Sequence, residues 1–500
     1  MAQTTAHRQP VPDVRPWPAL FALCLGFFMI LVDTTIVTVA TPAIISDLHA
    51  DVNSVVWVTS AYLLAYAVPL LITGRLGDRY GPRRVYLVGL AIFTLASLWC
   101  GLTGSVGELV SARVVQGLGA ALMSPQTMAV INRTFPSAKR GSAMSLWGAT
   151  AGVATLVGPL LGGLLVDAFG WEWIFFVNVP VGVVGFVLAA RLVPELPTTV
   201  RRFDLVGVGL SAVGMFLLVF GIQEGQTYAW DGWIWVLIVA GVVVMGGFLL
   251  WQARMKGEPL LSLDLFKDRN FGLANVAITT VGFGVTAMAF PLTFFAQGVL
   301  GLTPTGAALL TAPMAVLSGL LAPVVGKLID RSHPRWIAGF GMLAMPVSLF
   351  WMAAIMGPAT PIWELLLPIM LLGVANAFVW APLSTTATRD LPVQFAGSGA
   401  GVYNTTRQIG SVLGSAGIAA LLASRLAANL PGSTGAGGAE TGVAHLPVEL
   451  HAGFAAAMAQ SILLPAGVLM IGFVAALGFR LPRHFAKARA AAVDQAAASA

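Results

Sequence analysis

The stretch that decides the fold is Gly74-Arg-Leu-Gly-Asp-Arg-Tyr-Gly-Pro-Arg-Arg84, a polar island between two long apolar runs. Its density of arginine, glycine and proline predicts a tight, charged hairpin between two membrane helices. A second copy, Gly326-Lys-Leu-Ile-Asp-Arg-Ser-His-Pro-Arg335, repeats the glycine, leucine, aspartate and arginine at equal offsets, with Asp330 in the place of Asp78. The chain therefore contains two related halves. An internal repeat in a membrane protein indicates a transporter whose halves move about a central site.

The composition is that of a polytopic membrane protein. Hydrophobic residues make up 57% of the 500 residues, charged residues only 10%, and the mean hydropathy is +0.85. A spanning helix needs roughly 20 apolar residues, and fourteen runs of that kind predict an all-α protein with fourteen transmembrane helices. The runs fall near 17–41, 55–74, 85–103, 107–131, 141–166, 173–193, 204–224, 233–252, 271–297, 304–326, 336–356, 362–386, 396–424 and 452–479.

The basic residues indicate the topology. All but three of the 27 lysines and arginines fall on one side when the N-terminus, the even-to-odd loops and the C-terminal tail share that side. The exceptions are Arg425 on the opposite side and Arg113 and Arg407 within apolar runs. The positive-inside rule then places both termini in the cytoplasm, in a bacterial-type cell membrane. The net charge of +6 is dispersed through short loops, so we expect no nucleic-acid partner.

Several functional classes find no support in the sequence. Cys24 and Cys100 lie in apolar runs, and the six histidines are scattered without the spacing of metal ligands. No nucleotide-binding loop is present, and no nucleophile, base and orienting group recur at recognisable spacing. We therefore expect neither an enzyme nor a cofactor or metal, and a monomer in the lipid bilayer.

Two ionisable residues interrupt apolar runs. Asp33 lies in the first run, where a carboxylate is expensive to bury and is normally retained for a function. Arg113 lies in the fourth run, with Gln116 one helical turn away; because a guanidinium keeps its proton, it can act by biasing a nearby carboxylate. The alternatives are that Asp33 only bonds a neighbouring helix and that Arg113 reaches an aqueous surface.

The fifth run is rich in glycine. Gly148, Gly152, Gly158 and Gly162 predict one face without side chains, at which a neighbouring helix approaches closely. Pro159 removes a backbone donor and permits a bend, and Gly163 ends the segment. This pattern is typical of a helix that seals or pivots between the halves, although by spacing alone it is also an ordinary tight contact.

These motifs resemble the major facilitator superfamily. The first polar island is similar to its cytoplasmic loop signature, Gly-x-Leu-x-Asp-Arg-x-Gly-x-Arg-Arg, from which the second copy departs at His333. Four further stretches resemble the superfamily and its fourteen-spanner drug:proton antiporter branch: Asp-x-Thr-Ile-Val from Asp33, Arg-x-x-Gln-Gly-x-Gly from Arg113, Gly-Pro-x-x-Gly-Gly from Gly158, and 171–180.

The resemblance implies roles for particular residues. Asp33 and Arg113 are expected to couple proton movement, and the glycine segment is expected to be the antiporter motif. The two loop copies are expected to be conformational latches, made by Gly74, Asp78, Arg79, Gly81, Arg83, Arg84, Asp330 and Arg331. Polar and aromatic groups among apolar ones suggest a substrate pocket lined by Met29, Gln116, Asn376, Trp380 and Asn404. Arg407 is interpreted as a contact inside a helix near its cytoplasmic end.

The expected organisation is six plus two plus six helices. It consists of a disordered lead 1–16, a first half 17–193, two inserted helices 204–252, a linker 253–270, a second half 271–479 and a tail 480–500.

The sequence favours a proton-coupled antiporter that exports small amphipathic or hydrophobic compounds such as drugs, dyes and antibiotics. The alternatives are an exporter dedicated to one endogenous metabolite or antibiotic, a proton symporter or importer on the same fold, and a non-transporting sensor or lipid-handling scaffold. Because only Asp33 and Glu224 offer negative charge within the membrane, we expect neutral or monocationic substrates.

Overall fold

The computed structural model describes residues 15–49, 52–136, 139–198, 204–225, 227–255, 259–392, 395–430 and 447–481. Within these ranges the regular secondary structure is entirely helical. The predicted lead and tail lie almost wholly outside the described residues.

The first half contains eight helices among the described residues, and two pairs of consecutive helices each form one span. They are α1 (Pro16–Asp47), α2 (Val52–Ala67), α3 (Leu70–Tyr80), α4 (Pro82–Gly101), α5 (Val106–Thr134), α6 (Arg140–Phe169), α7 (Trp173–Phe176) and α8 (Asn178–Leu192). Two further helices follow, α9 (Leu205–Glu224) and α10 (Gly232–Arg254), and then a short 3-10 turn at Leu263–Lys267.

The second half follows the same order. Its helices are α11 (Arg269–Gly298), α12 (Pro304–Leu310), α13 (Ala312–Ile329), α14 (Pro334–Ile355), α15 (Ile362–Ala377), α16 (Trp380–Thr388), α17 (Ala396–Asn429) and α18 (His451–Leu477). Thirteen spans in the described chain are long and apolar enough to cross a membrane. Counting α2 and α3, which meet at an angle of 47°, as one bent span gives the predicted fourteen.

The first polar island is helical rather than a loop, so its prediction as a hairpin is wrong in detail. Residues 74–80 form the last turns of α3, and the chain reverses at a single residue, Gly81, whose φ is +93°. Glycine adopts this conformation without steric cost. Pro82 then opens α4, where a missing N–H is tolerated.

The two halves meet along two seams related by the repeat. At the first, α3 packs on α17; at the second, α13 packs on α6. Glycines bring both pairs close, because a Cβ added at Gly74 would lie 2.5 Å from the carbonyl oxygen of Gly397. A Cβ added at Gly326 would lie 2.7 Å from Oγ of Ser145. Each copy of the polar island therefore lies directly on the opposite half.

The inserted helices α9 and α10 pack on each other and against the α2–α17 side of the bundle. Met215 and Val219 of α9 join Ala67 of α2 in one apolar cluster, with Ile409 and Val412 of α17 packed against it. The inserted pair therefore covers one seam of the bundle.

Asp204 fixes the start of this inserted pair. Its carboxylate accepts hydrogen bonds from N–H of Gly207 (2.8 Å), Nε1 of Trp251 (3.0 Å) and Nε2 of Gln252 (2.7 Å). Oε1 of Gln252 in turn accepts from N–H of Leu261 (3.1 Å), which ties the linker to α10. Burial raises the pKa of Asp204, but these hydrogen bonds outweigh it and hold that pKa below its ordinary value.

Candidate functional site

A fully buried ion pair joins α1 to α5. Nη1 of Arg113 lies 2.5 Å from Oδ2 of Asp33, and neither side chain has any exposed surface. Arg113 also donates from Nε to the carbonyl oxygen of Val58 in α2 at 3.0 Å. Its guanidinium stacks over the ring of Tyr62, 4.0 Å from the ring centroid. Arg113 is therefore enclosed by protein in this conformation and does not reach an aqueous surface.

Amides and a hydroxyl complete the set of partners. Nε2 of Gln116 donates to Oδ1 of Asp33 (2.8 Å) and to Oγ of Ser97 in α4 (2.7 Å). Nδ2 of Asn178, the first residue of α8, donates to the same Oδ1 at 3.2 Å. Arg113 also donates to Oε1 of Gln116 at 2.6 Å. We call these five residues, Asp33, Ser97, Arg113, Gln116 and Asn178, the Asp33 network.

The sequence predicts part of the Asp33 network. Arg113 and Gln116 are three residues apart, so they lie on one face of α5, as the sequence predicts. Ser97 and Asn178 were not among the predicted site residues. Asn178 lies in the 171–180 stretch, where the only signal was one amide at the start of an apolar run.

On the side where α3 ends, Asp78 caps a helix of the other half. Its Oδ1 and Oδ2 each accept a 2.9 Å hydrogen bond, from N–H of Gly397 and N–H of Ser398 at the start of α17. The hydroxyl of Ser398 donates to Oδ2 at 2.8 Å, and Arg133 at the end of α5 forms an ion pair with Oδ1. We call Asp78, Arg133, Gly397 and Ser398 the first interhalf cluster.

Asp330 repeats this arrangement in the opposite direction. It accepts from N–H of Gly141 (2.9 Å) and N–H of Ser142 (3.2 Å) at the start of α6. The hydroxyl of Ser142 donates to Oδ2 at 3.0 Å, and Nη2 of Arg389 lies 2.9 Å from Oδ1. We call Asp330, Arg389, Gly141 and Ser142 the second interhalf cluster. On this side the halves are therefore held together at two points.

The arginines of the polar islands contribute differently from what the sequence suggests. Arg83 forms an ion pair with Glu195 at 3.3 Å and donates to the carbonyl oxygen of Ala190, both in its own half. Arg79 lies over the Tyr80 ring, and Arg84 and Arg331 are exposed. The cations that join the interhalf clusters are instead Arg133 and Arg389, which the prediction missed. Their signal was a basic residue at the end of corresponding helices, since Arg133 lies in the last turn of α5 and Arg389 directly follows α16.

The four glycines predicted to share a face of α6 lie within about a third of the helix circumference, but they contact two different neighbours. A Cβ at Gly148 would lie 3.2 Å from Cβ of Trp380, and one at Gly152 would lie 3.5 Å from Oγ of Ser318, both in the second half. At Gly158 and Gly162 the neighbours are instead residues of α1. Ten residues separate Gly148 from Gly158, about 15 Å along the axis, so the two pairs of glycines meet different neighbours.

Gly163 has open space beside it, and Pro159 lies within the helix without ending it. One segment of α6 therefore serves two contacts, the second half and α1.

The five residues predicted to line a pocket fall into separate groups. Gln116 belongs to the Asp33 network, and Met29 packs in the apolar cluster that contains Tyr62. Nε1 of Trp380 donates to Oδ1 of Asn376 at 2.9 Å. Asn404 bonds the carbonyl oxygen of Ala400 in its own helix. Among the contacts of the described residues none joins all five, so a common pocket stays a prediction.

Comparison with known proteins adds three findings. The family model described as Major Facilitator Superfamily matches residues 23–415. An uncharacterized MFS-type transporter of Mycobacterium tuberculosis (strain ATCC 25618 / H37Rv) is 55% identical over 466 residues, covering 92% of this chain and 80% of that protein. The tetracenomycin C resistance and export protein of Streptomyces glaucescens is 36% identical over 419 residues, covering 82% and 77%.

Among solved structures, the crystal structure of the human organic anion transporter MFSD10 covers 91% of this chain and 99% of that one. The TM-score is 0.61 and the sequence identity 12%. A likeness at this identity concerns the fold alone.

Proposed function

This chain belongs to the major facilitator superfamily, and from that premise we propose that it is a proton-driven antiporter. It exports small amphipathic or hydrophobic compounds, monocationic ones included, across the cytoplasmic membrane. Both termini and the two interhalf clusters lie on the cytoplasmic side. The observation that carries this proposal is the Asp33–Arg113 pair, a carboxylate with a matched counter-ion and no exposed surface within a membrane span.

The pair supplies a mechanism for coupling. In the conformation described, Arg113, Gln116 and Asn178 donate hydrogen bonds to the Asp33 carboxylate, an arrangement that suits a negative charge. Moving α5 relative to α1 withdraws Arg113, and a buried carboxylate without a counter-ion then favours the protonated form. Asp33 binds a proton from one side of the membrane in that state and releases it to the other when Arg113 returns.

The two interhalf clusters make the change of conformation discrete. Both helix caps and both ion pairs are made when the cytoplasmic side is closed, and all of them break when it opens. Because packed interfaces have alternative arrangements rather than a continuous range, this favours two states over a partly open one.

The proton gradient is an adequate energy source. One charge crossing the membrane supplies roughly 2.3 kcal/mol per 100 mV. An exporter dedicated to one metabolite is the second candidate, supported by the relative whose name includes tetracenomycin C export.

The test is substrate-induced proton release from purified protein in weakly buffered detergent solution, with ethidium as the probe. We expect release from the wild type, none from Asp33→Asn despite retained ethidium binding, and wild-type release from Asp167→Asn, an exposed carboxylate of α6. Asp33→Glu should keep partial activity with a shifted pH optimum. Equal release from the wild type and Asp33→Asn would place the coupling acid elsewhere.

A further inference from the structure

Arg407 is a second arginine within the membrane, and the proposed mechanism does not use it. It is the twelfth residue of α17, which begins at Ala396. At 1.5 Å per residue it lies roughly 16 Å along that helix of 34 residues, which is long and apolar enough to cross a membrane.

The side chain of Arg407 points into the bundle. Its Nη2 lies 3.4 Å from the hydroxyl of Tyr66 in α2, and that hydroxyl lies 3.0 Å from Oγ of Ser124 in α5. The guanidinium of the second half therefore reaches the place where two helices of the first half meet. It remains half-buried there, whereas Arg113 is fully enclosed.

Arg407 has no carboxylate partner in the described part of the chain. Asp33 is held by Arg113, and the two interhalf clusters hold Asp78 and Asp330. The hydrogen bond to Tyr66 is long and donates to a neutral oxygen. A partly exposed cation inside a span faces a water-filled cavity or marks a substrate pathway. Arg407 therefore leaves a positive charge with some exposed surface in this region.

Other polar groups without partners accompany Arg407 on the preceding turn of α17. The hydroxyl of Tyr403 and Oδ1 of Asn404 are fully buried, and neither atom has a hydrogen-bond partner among the described residues. These residues lie four and three positions before Arg407, on the same side of the helix.

We infer that Arg407, with Tyr66, Ser124 and Tyr403, forms a subsite that binds an acceptor oxygen of the transported compound. The group that fits is a carboxylate, a phenolate or a conjugated carbonyl attached to a hydrophobic body. A guanidinium presents two parallel N–H donors to such an oxygen, and the neighbouring hydroxyls can add further hydrogen bonds. This inference rests on the proposed export function and extends the expected substrates from neutral and monocationic compounds to anionic ones.

The test uses two dyes that share a xanthene core and differ in charge, the anion fluorescein and the cation rhodamine 6G. Uptake is measured in everted vesicles or proteoliposomes carrying a proton gradient. Arg407→Gln should raise KM for fluorescein about tenfold, equivalent to about 1.4 kcal/mol, and leave KM for rhodamine 6G unchanged. The KM of Arg407→Lys for fluorescein should lie between those of the wild type and Arg407→Gln, because lysine keeps the charge but loses the planar pair of donors.

Arg425→Gln is the matched control, since Arg425 lies on the same helix but is exposed. Fluorescein anisotropy with purified protein separates loss of binding from loss of movement. Equal losses for both dyes, unchanged transport of both, or a wild type that moves only rhodamine 6G would each overturn the subsite. A wild type that moves neither dye against a gradient would instead contradict export itself.

Discussion

The interhalf clusters and the Asp33 network differ in their symmetry. The first interhalf cluster has a counterpart for every member in the second, down to the serine hydroxyl and the arginine that pair with the aspartate. The Asp33 network has none, because α11 contains no acidic residue and α15 no basic one. A gate between two halves needs matching contacts from both. In the mechanism proposed above, one acid is enough to couple a proton, so a single copy of the network would suffice.

Removing Arg113 should produce the largest effect. Arg113→Ala leaves Asp33 buried without its counter-charge, which we expect to destabilise the protein by about 3–5 kcal/mol. The double variant Asp33→Asn/Arg113→Ala should be more stable than Arg113→Ala, because no charge is then left unpaired. Thermal unfolding in detergent, followed by tryptophan fluorescence, measures both. If the double variant has a lower melting temperature than Arg113→Ala, the charges of Asp33 and Arg113 do not compensate each other in the folded protein.

Substitution of the two aspartates at the interhalf clusters should have smaller, matched effects. Asp78→Asn and Asp330→Asn keep the side-chain shape but weaken a helix cap worth about 0.5–2 kcal/mol and remove an ion pair. We expect normal expression and transport reduced by roughly tenfold in each, corresponding to about 1.4 kcal/mol. Asp264→Asn, in an exposed pair with Lys267, serves as the control. Clearly unequal losses of ethidium transport in Asp78→Asn and Asp330→Asn would show that the two clusters are not functionally equivalent.

Two glycines of α6 offer a matched comparison within one helix. Gly158→Ala forces a methyl group into Thr35 of α1, which should cost about 1–3 kcal/mol and slow transport. Gly163→Ala meets open space and should be neutral or stabilising by up to about 1 kcal/mol. Melting temperature and ethidium efflux are the measurements. Similar behaviour of the two variants would mean that contact with α1 does not constrain this helix.

The smallest effect is expected for a substitution at Asp204, because its hydrogen-bond partners lie within the inserted pair α9 and α10. Because the folded-state pKa of Asp204 is lowered, its contribution to stability is present above the unfolded pKa, near 3.8. It is lost as the pH falls through the folded value. Asp204→Asn should therefore lower the melting temperature at pH 6 more than at pH 3. If the difference in melting temperature between the wild type and Asp204→Asn grew toward acidic pH, the lowered pKa of Asp204 would be contradicted.

Much of the fold follows from simple features of the sequence. Apolar length and the repeated polar island predict fourteen spans in two halves, which the helices and the family confirm. Membership in a transporter family also confirms that the chain is not an enzyme. Asp33 and Arg113 were identified because charge within a span is costly. Their direct contact was not predicted, since packing between helices far apart in sequence leaves no periodic signal.

The details that failed depend on three-dimensional packing. Residues 74–80 resemble a loop in composition, yet they are helical because the opposite half covers them and Gly81 alone makes the turn. Arg133 and Arg389 look like ordinary basic residues at helix ends until each is found beside an aspartate. The inserted pair was recognised as additional, but its place over the α2–α17 seam came only from the structure.

One capping aspartate precedes its helix in the chain and the other follows it, so the two caps form at different times during synthesis. Asp78 precedes the helix it caps, so it is already in place when α17 is made. Asp330 follows the residues it caps at the start of α6 by 189 positions. At about 5–20 residues per second, α6 waits roughly 10–40 s for its cap. The first half is thus completed by the ribosome well before its last helix end is satisfied, and only the arrival of α13 finishes it.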